Sequence, residues 1–599
     1  MSRSQWLACA AGCLAVGLAA APAGAQSAPG SSGQSQAGDE LTILLELAAS
    51  PKLERFVRRV SDPASPRYRQ FLTVNQLVKR FGPARQIKAQ TLRFAADHGL
   101  TARIDASGMF ATVTGALGAV RAAFPPAASA RAATSTRYRP TVPAELAPGV
   151  AGATTFADLP AVRRQAPLDP ATSQSAAART GSPAGCDAGR FASTNGQTAG
   201  FTPNQYLSAY GHDALHARGL TGRGVRMALI EIDGFDPSDI AAFAACFGTT
   251  VPPIATHPVG IPQAFAPGAE TTLDLEVLAA AAPGLEAIDV YESDELLSPI
   301  AAAVTSAKRH PDVISMSLGG CENSQFQGLT GLRIINGLLL LAAGSGTSTL
   351  VSTGDEGSSG CMNAAGAVLP MLSAQFPATS PYVTAVGGTN LQLDAGNRIT
   401  GEWVWNGSPR NTGAGSGGES LLFDRPWWQR ASTITTSTPN RTVPDVAALA
   451  DTAPGYAIYC TSQECVEKLD PRGLGGWITV GGTSAAAPLV AAGVALANEA
   501  AARRGQPPLG MLNPLIYEIG RSKAGAQVIR DVTQGTNDVG TAIPAPVSDG
   551  QPLGCCSAAP GYDLASGWGS LSIPRFSDAA LGYGRRAASV RLRGDARRP

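Results

Sequence analysis

Strand-like segments at Val225–Ile232, Ala287–Tyr291, Val313–Leu318, Thr349–Thr353 and Val383–Val386 alternate with helical stretches at 270–282, 296–309 and 329–343. Alternation of this kind predicts an α/β domain: a parallel sheet with helices on both faces. Such sheets gather functional residues in the loops beyond the carboxyl ends of their strands. Two glycine-rich turns fall at such ends, Ser317-Leu318-Gly319-Gly320 and Gly354-Asp355-Glu356-Gly357.

The chain of 599 residues is too long for that domain alone. Residues 1–25 have the form of a signal peptide, with Arg3, an apolar run from Leu7 to Ala21, and the small-residue pattern Ala23-Gly24-Ala25. The run is short for a membrane span of ~20 residues, so its removal is expected, with no membrane association afterwards. Residues 26–39 are Ser/Gly/Gln/Ala-rich and expected to be disordered. A compact unit is expected over 40–160, with strands at Leu41–Leu45 and Phe110–Thr114 and helices near 51–60 and 84–98. An Ala/Ser/Thr/Gly/Pro-rich linker covers 161–198, the α/β domain 199–583, and a frayed basic tail 584–599.

Net charge is +1, so no basic field points to a nucleic-acid partner. With residues 1–25 removed, Cys186, Cys246, Cys321, Cys361, Cys460, Cys465, Cys555 and Cys556 remain. An even count in an exported chain suggests disulfides. Cys460–Cys465 is the easiest local pair, and Cys321–Cys361 would join two loops of the α/β domain. A zinc site is the alternative, but no Cys-x-x-Cys pair occurs.

Gly481-Gly482-Thr483-Ser484-Ala485-Ala486-Ala487-Pro488 opens a long Ala/Val/Leu-rich helix. Ser484 thus falls at a helix N-terminus, where free N–H groups and the positive dipole end suit a developing oxyanion. A lone Gly-Thr-Ser would be read as a helix cap. The whole octet favours a nucleophile. A serine nucleophile needs a base. None of the five histidines, His98, His212, His216, His257 and His310, sits in a glycine-bracketed strand-end motif. His212 and His216 are four apart, but no Glu follows His212, so the pair reads as a solvated helix face.

Carboxylates are the alternative. Glu270 and Asp274 are four apart on a helical stretch and share one face. Two carboxyls this close resist double ionisation. Alone, they read equally as an acidic helix start. Asp355, in its turn, could hold a proton and donate to an oxyanion, or be an ordinary turn residue.

Together these residues resemble the sedolisin family, the serine-carboxyl peptidases. Glu270/Asp274, Gly354-Asp355 and Gly-Thr-Ser484-x-x-x-Pro occur in family order. Phe376 to Thr389 and Val443 to Ala448 look like further family segments. Asp62-Pro63-Ala64-Ser65-Pro66-Arg67-Tyr68-Arg69-Gln70-Phe71-Leu72-Thr73 looks like the signature of the family's pro-kumamolisin-type activation prodomain. The resemblance implies a subtilisin-like catalytic domain behind an α+β, ferredoxin-like prodomain. Ser484 would be nucleophile, Glu270 general base and acid, Asp274 its support, and Asp355 part of the oxyanion hole. Ser317, Leu318 and Gly319 would pair with substrate backbone as an added strand. The implied reaction is acid-pH hydrolysis of protein or peptide substrates through an acyl-enzyme, by a secreted monomer. The prodomain would be an intramolecular inhibitor, removed autocatalytically within 161–198.

Arg530-Asp531-Val532 and Ala559-Pro560-Gly561-Tyr562-Asp563 resemble the family's calcium-binding segments. The carry-over assigns one structural Ca2+ ion to the side chains of Asp531 and Asp563 and the carbonyls of Val532, Ala559 and Gly561, an all-oxygen set that suits a hard cation. The family usually has Gly where Ala559 stands. Two other functions compete with this reading: an inactive secreted binding protein on the same scaffold, and an α/β ester hydrolase. The ester-hydrolase motif Gly-x-Ser-x-Gly is absent around Ser484, and no histidine follows it.

Overall fold

The computed structural model describes residues 40–126, 138–159, 163–164, 178–192, 199–322, 329–361, 369–407, 413–429, 439–469, 476–539 and 552–595. The signal-like residues 1–25, the segment 26–39 and most of the 161–198 linker lie outside the described residues.

The first unit runs β1 (Glu40–Leu47), α1 (Lys52–Ser61), α2 (Val74–Phe81), α3 (Arg85–Asp97), β2 (Thr101–Ile104), β3 (Phe110–Ala116), α4 (Leu117–Ala123) and β4 (Val150–Thr155). Its sheet has the order β2-β3-β1-β4, antiparallel throughout, which is ferredoxin-like. Alternate residues of a strand face opposite ways, and β1 uses this to serve two cores. Ile43, Leu45 and Leu47 pack with Phe94, Val113 and Phe124 in the unit's own core. Leu44 turns with Phe56, Val57 and Leu77 into the large core shared with the rest of the chain. Helix α2 starts at a capping box, Thr73 with Gln76.

A short strand, β5 (Arg163–Arg164), follows. The second unit carries β6 (Arg226–Glu231), α5 (Pro237–Phe247), β7 (Ile254–Pro258), α6 (Ala269–Ala281), β8 (Ala287–Glu292), α7 (Leu297–Thr305), β9 (Val313–Met316), β10 (Leu318–Cys321), α8 (Leu329–Ser345), β11 (Ser348–Ser352), β12 (Gln375–Phe376), β13 (Thr384–Leu393), β14 (Ile399–Val404), β15 (Val446–Leu449), α9 (Thr483–Ala502) and α10 (Ile573–Asp595). The main sheet has the order β14-β13-β11-β9-β6-β8-β7, with β15 also beside β13. Every pairing in it is parallel except β13 with β14. Helices α6 and α9 cover one face, and α7 and α8 the other. This is the subtilisin-like sandwich of helices about a parallel sheet. Helix α7 stops at Thr305, short of the expected 309, because Ser306 turns extended and its hydroxyl accepts from the Arg309 N–H at 3.1 Å.

The first unit docks on α8. Arg333 pairs with Glu46 at 2.8 Å, and the Leu72 N–H donates to the Gly344 carbonyl at 3.3 Å. The Arg69 side chain is buried and donates to the Ala580 carbonyl at 3.3 Å. Arg58 lies over the Trp427 ring at 5.1 Å. Disulfides join Cys186–Cys246, Cys321–Cys361, Cys460–Cys465 and Cys555–Cys556. The backbone expected to fray from Arg585 is helical as far as Asp595.

Candidate active site

Helix α9 follows Gly482, whose φ of 126° lies in the region that favours glycine. Ser484 is the helix's second residue and is buried, with its Oγ 3.4 Å from the Ser317 carbonyl. Four residues on, Pro488 has no N–H to give the Ser484 carbonyl. The Ser317 hydroxyl reaches that carbonyl at 3.1 Å, and Asp274 Oδ2 at 2.7 Å. The Ser317 hydroxyl thus ties the Asp274 carboxyl to the first turn of α9.

Helix α6 is buried along its whole length. Asp233, just beyond β6, caps its first turn. Its carboxylate accepts from the N–H of Glu270 at 3.3 Å, and from the N–H and hydroxyl of Thr271 at 3.0 and 2.6 Å. That anchor fixes the rotation of α6 and turns Glu270 and Asp274 together toward the Ser484 end of α9. Strand β6 ends in Glu231, wholly buried beside them.

Glu231, Asp233, Glu270 and Asp274 therefore form one carboxyl cluster, and the described residues place no cation in contact with it. Burial raises the Glu270 pKa well above the usual carboxylate range, and the charge of Asp274 adds to this. The Ser484 hydroxyl pulls the other way, so it lies close to Glu270, although neither Glu270 oxygen has a hydrogen bond of good geometry. Such contacts often tighten only when substrate binds. Burial likewise raises Asp274, against the hydrogen bond from Ser317 and the close approach of the Glu231 carboxyl, while Asp233 raises it further. Glu231 is raised by burial and then by Asp274.

Asp355 follows Gly354, whose φ is +110° and which sits against Gln375. Its Oδ1 accepts from the N–H and hydroxyl of Thr483, at 2.8 and 2.9 Å. Its Oδ2 is buried with no partner. Burial raises its pKa, and Glu356 raises it further. A protonated Oδ2 beside Ser484 can donate one hydrogen bond to an anion formed there.

The structure brings Ser484, Glu270, Asp274, Asp355 and Ser317 to one end of α9. Leu318 and Gly319 lie on β10, which pairs antiparallel with β5 on one edge and β12 on the other. The histidines are engaged elsewhere: His212 with the Leu489 carbonyl, His216 with Ala281, His257 with Asp289, His310 with Thr347 and His98 with Phe94. His212 is buried rather than on a solvated face, and burial pushes its pKa down to about 3. Sequence reasoning missed Glu231 and Asp233. The signal was there: two acids closing an apolar strand, where sites gather.

Of the expected calcium ligands, the two carboxylates face one turn. Gly561 N–H donates to Asp531 Oδ2 at 2.8 Å and Ala559 N–H to Asp563 Oδ2 at 2.9 Å, so both carboxylates address one turn. Burial raises both pKa values, and neither carboxylate has an ion-pair partner among the described residues. An uncompensated, oxygen-only set fits a hard cation.

Residues 31–154 match the family model of the pro-kumamolisin activation domain, and residues 286–509 that of the subtilase family. Kumamolisin from Bacillus sp. (strain MN-32) is 34% identical over 399 residues, covering 64% of each chain. Tripeptidyl-peptidase 1 from Bos taurus is 31% identical over 402 residues, again 64% of each. The matches thus span a little under two thirds of these relatives' length. Pseudomonas sedolisin, a serine-carboxyl proteinase complexed with two molecules of pseudo-iodotyrostatin, superposes with a TM-score of 0.52 at 24% identity, over 65% of this chain and 100% of that one. The scaffold is that of subtilisin-like serine peptidases, preceded by an activation domain. The chain is thus similar to kumamolisin and tripeptidyl-peptidase 1 and shares the fold of a sedolisin.

Proposed function

We propose that this chain is the zymogen of a secreted serine-carboxyl endopeptidase that cuts protein substrates at acidic pH. The observation that carries this reading is the buried carboxyl cluster beside Ser484, with the unpartnered Asp355 Oδ2 on its other side. Ser484 attacks the scissile carbonyl and its proton passes to Glu270. Asp274 orients Glu270, and Glu231 and Asp233 hold Asp274 and α6 in place. Protonated Asp355 and the N-terminal amides of α9 receive the oxyanion. Glu270 then returns the proton to the leaving amine, and water releases the acyl group by the same route. Low pH keeps Asp355 protonated to meet the oxyanion, whereas Glu270 works as the ionised minority form when it accepts the Ser484 proton and as the acid when it returns it.

Asp531, Asp563 and the carbonyls of Val532, Ala559 and Gly561 would hold one Ca2+ ion with a structural role. Residues 40–160 act as the intramolecular inhibitor until they are cut away, and the mature monomer needs no membrane or nucleic acid. The test is casein hydrolysis after shifting the precursor from pH 7 to about pH 4, near the unperturbed carboxylate range. Activity should appear in the wild type and fall at least about a thousandfold in Ser484→Ala and Glu270→Gln, since triad-type residues act as a unit. Wild-type rates in Ser484→Ala would refute the mechanism.

A further inference from the structure

We propose that one rung of the β10–β12 ladder, Cys321 opposite Gln375, positions the Asp355 turn against the strand on which substrate lies. The rung thereby makes turnover depend on the length of peptide ahead of the scissile bond. This rests on the peptidase reading above and adds how its oxyanion group is registered on the substrate.

Cys321 and Gln375 stand opposite each other in antiparallel β10 and β12. Residues paired in this way project from the same face of a sheet. Both side chains reach the turn that carries Asp355, one at each end. The Gln375 amide donates to Glu356 Oε2, which also accepts the Asp355 N–H at 3.0 Å. Cys321 is bonded to Cys361. Between those ends the chain makes one tight turn, Gly357–Ser359, pressed against the approach to β12. The Ser373 N–H donates to the Ser358 carbonyl at 3.2 Å, and a Cβ on Gly360 would clash with the Ser373 carbonyl. Gln375, Glu356 and Cys361 are all buried, so these contacts are shielded from water.

Thr483 fixes Asp355 to the nucleophile's helix, through its bonds at 2.8 and 2.9 Å. The rung fixes it to the substrate's strand instead. Strand β10 is pinned just ahead of its start, where the Ser317 hydroxyl meets Asp274 and the Ser484 carbonyl, and at its end by Cys321. The backbone of Leu318, Gly319 and Gly320 lies between these pins. The edge of β10 away from β12 takes an antiparallel strand, here β5. A peptide adding there runs from the Cys321 end toward Ser317 and reaches Ser484 last. Residues ahead of the scissile bond therefore pair with the part of β10 that the rung holds. Binding energy from remote residues raises turnover only when it is realised at the reacting centre. A displacement of about 1 Å there can cost about a hundredfold.

Two peptides test this on the acid-activated chain, one with about two residues ahead of the scissile bond and one with about five. The readout is the ratio of their kcat/KM values, long over short, which does not depend on how much precursor has matured. Cys321→Ala with Cys361→Ala should lower that ratio about ten- to a hundredfold, chiefly through kcat on the long peptide. Cys186→Ala with Cys246→Ala opens a loop of 60 residues against 40, so chain entropy predicts at least as large a fall in melting temperature. Its ratio should nevertheless equal the wild type's. Gln375→Met keeps the crosslink, removes the amide and should also lower the ratio. Because both changes act on one turn, combining them should lose less than the product of their separate effects. The Gln375 variant carries the test by itself if the cysteine pair fails to fold. A wild-type ratio in a folded rung variant, or an equal fall in the Cys186–Cys246 control, overturns the proposal. Ser484-dependent hydrolysis with unchanged ratios leaves the peptidase reading intact and refutes this one. Hydrolysis that does not depend on Ser484 refutes both.

Discussion

Two regions bury carboxylates in opposite ways. Beside Ser484, Glu231, Asp233, Glu270 and Asp274 share a pocket that contains no cation among the described residues. Between β13 and β15, Asp445 is equally buried but fully matched. Arg441 reaches its two oxygens at 2.9 and 2.6 Å, and Tyr517, Asn513 and the Ala385 N–H donate as well. Trp428 lies 4.7 Å from the guanidinium. A matched ion pair holds one charge state and one geometry. A crowd of carboxyls stores protons and releases them in turn. The first arrangement suits a strut, the second a site that moves protons.

Crossed substitutions should separate the two most strongly. Asp445→Ala strands a buried guanidinium and should cost about 3–5 kcal/mol of stability, read as a lowered denaturation midpoint, with the pH profile of activity unmoved. Asp274→Asn should do the reverse. Its activity should fall about 10²–10⁴-fold, the range for a general acid–base contribution, while stability near neutrality holds or rises, because an amide needs no proton to be neutral. Equal stability losses in both would erase the contrast.

A smaller effect sharpens it. Burial raises the pKa of Glu231, Glu270, Asp274 and Asp355 above their values in the unfolded chain. The folded state therefore binds more protons. The stability they contribute is fully present below about pH 4, the unfolded carboxylate range, and is lost as pH rises through the raised values. The melting temperature of Ser484→Ala should climb from pH 7.5 to 4.5, and Glu231→Gln should flatten that slope. A wild-type-like slope in Glu231→Gln would take Glu231 out of the cluster. The smallest change concerns calcium. A cation bound at 100 times its Kd adds about 2.7 kcal/mol, so a chelator should lower the melting point by a few degrees. An unchanged midpoint would remove the ion.

What was legible in the sequence was local. Strand and helix periodicity named the main sheet, and spacing of four put Glu270 and Asp274 on one face. The octet around Ser484 announced a helix start. The unread parts depend on elements far apart in the chain. Asp233 matters because it caps a helix 36 residues on, a bond that no periodicity announces. Strand β5 is two residues in an Ala/Ser-rich linker and becomes a strand only because β10 offers an edge. Cys186–Cys246 closes across 60 residues that the spacing of cysteines leaves ambiguous.

Helix α9 has a further consequence. It is buried to Ala501 on every side, and apolar and long enough by itself to cross a bilayer, with a mean hydropathy of 1.4. An exported chain must be threaded unfolded through a translocation pore, where such a segment can slip sideways into lipid and stop. The helix meets the core's demand mainly with alanine rather than leucine, and Pro488, Asn498 and Glu499 interrupt it. Polar and charged residues oppose lateral insertion. On the proposed export route, the helix that carries Ser484 is held between two limits: greasy enough to fill the centre of the fold, and not so greasy that it would lodge in a membrane on the way.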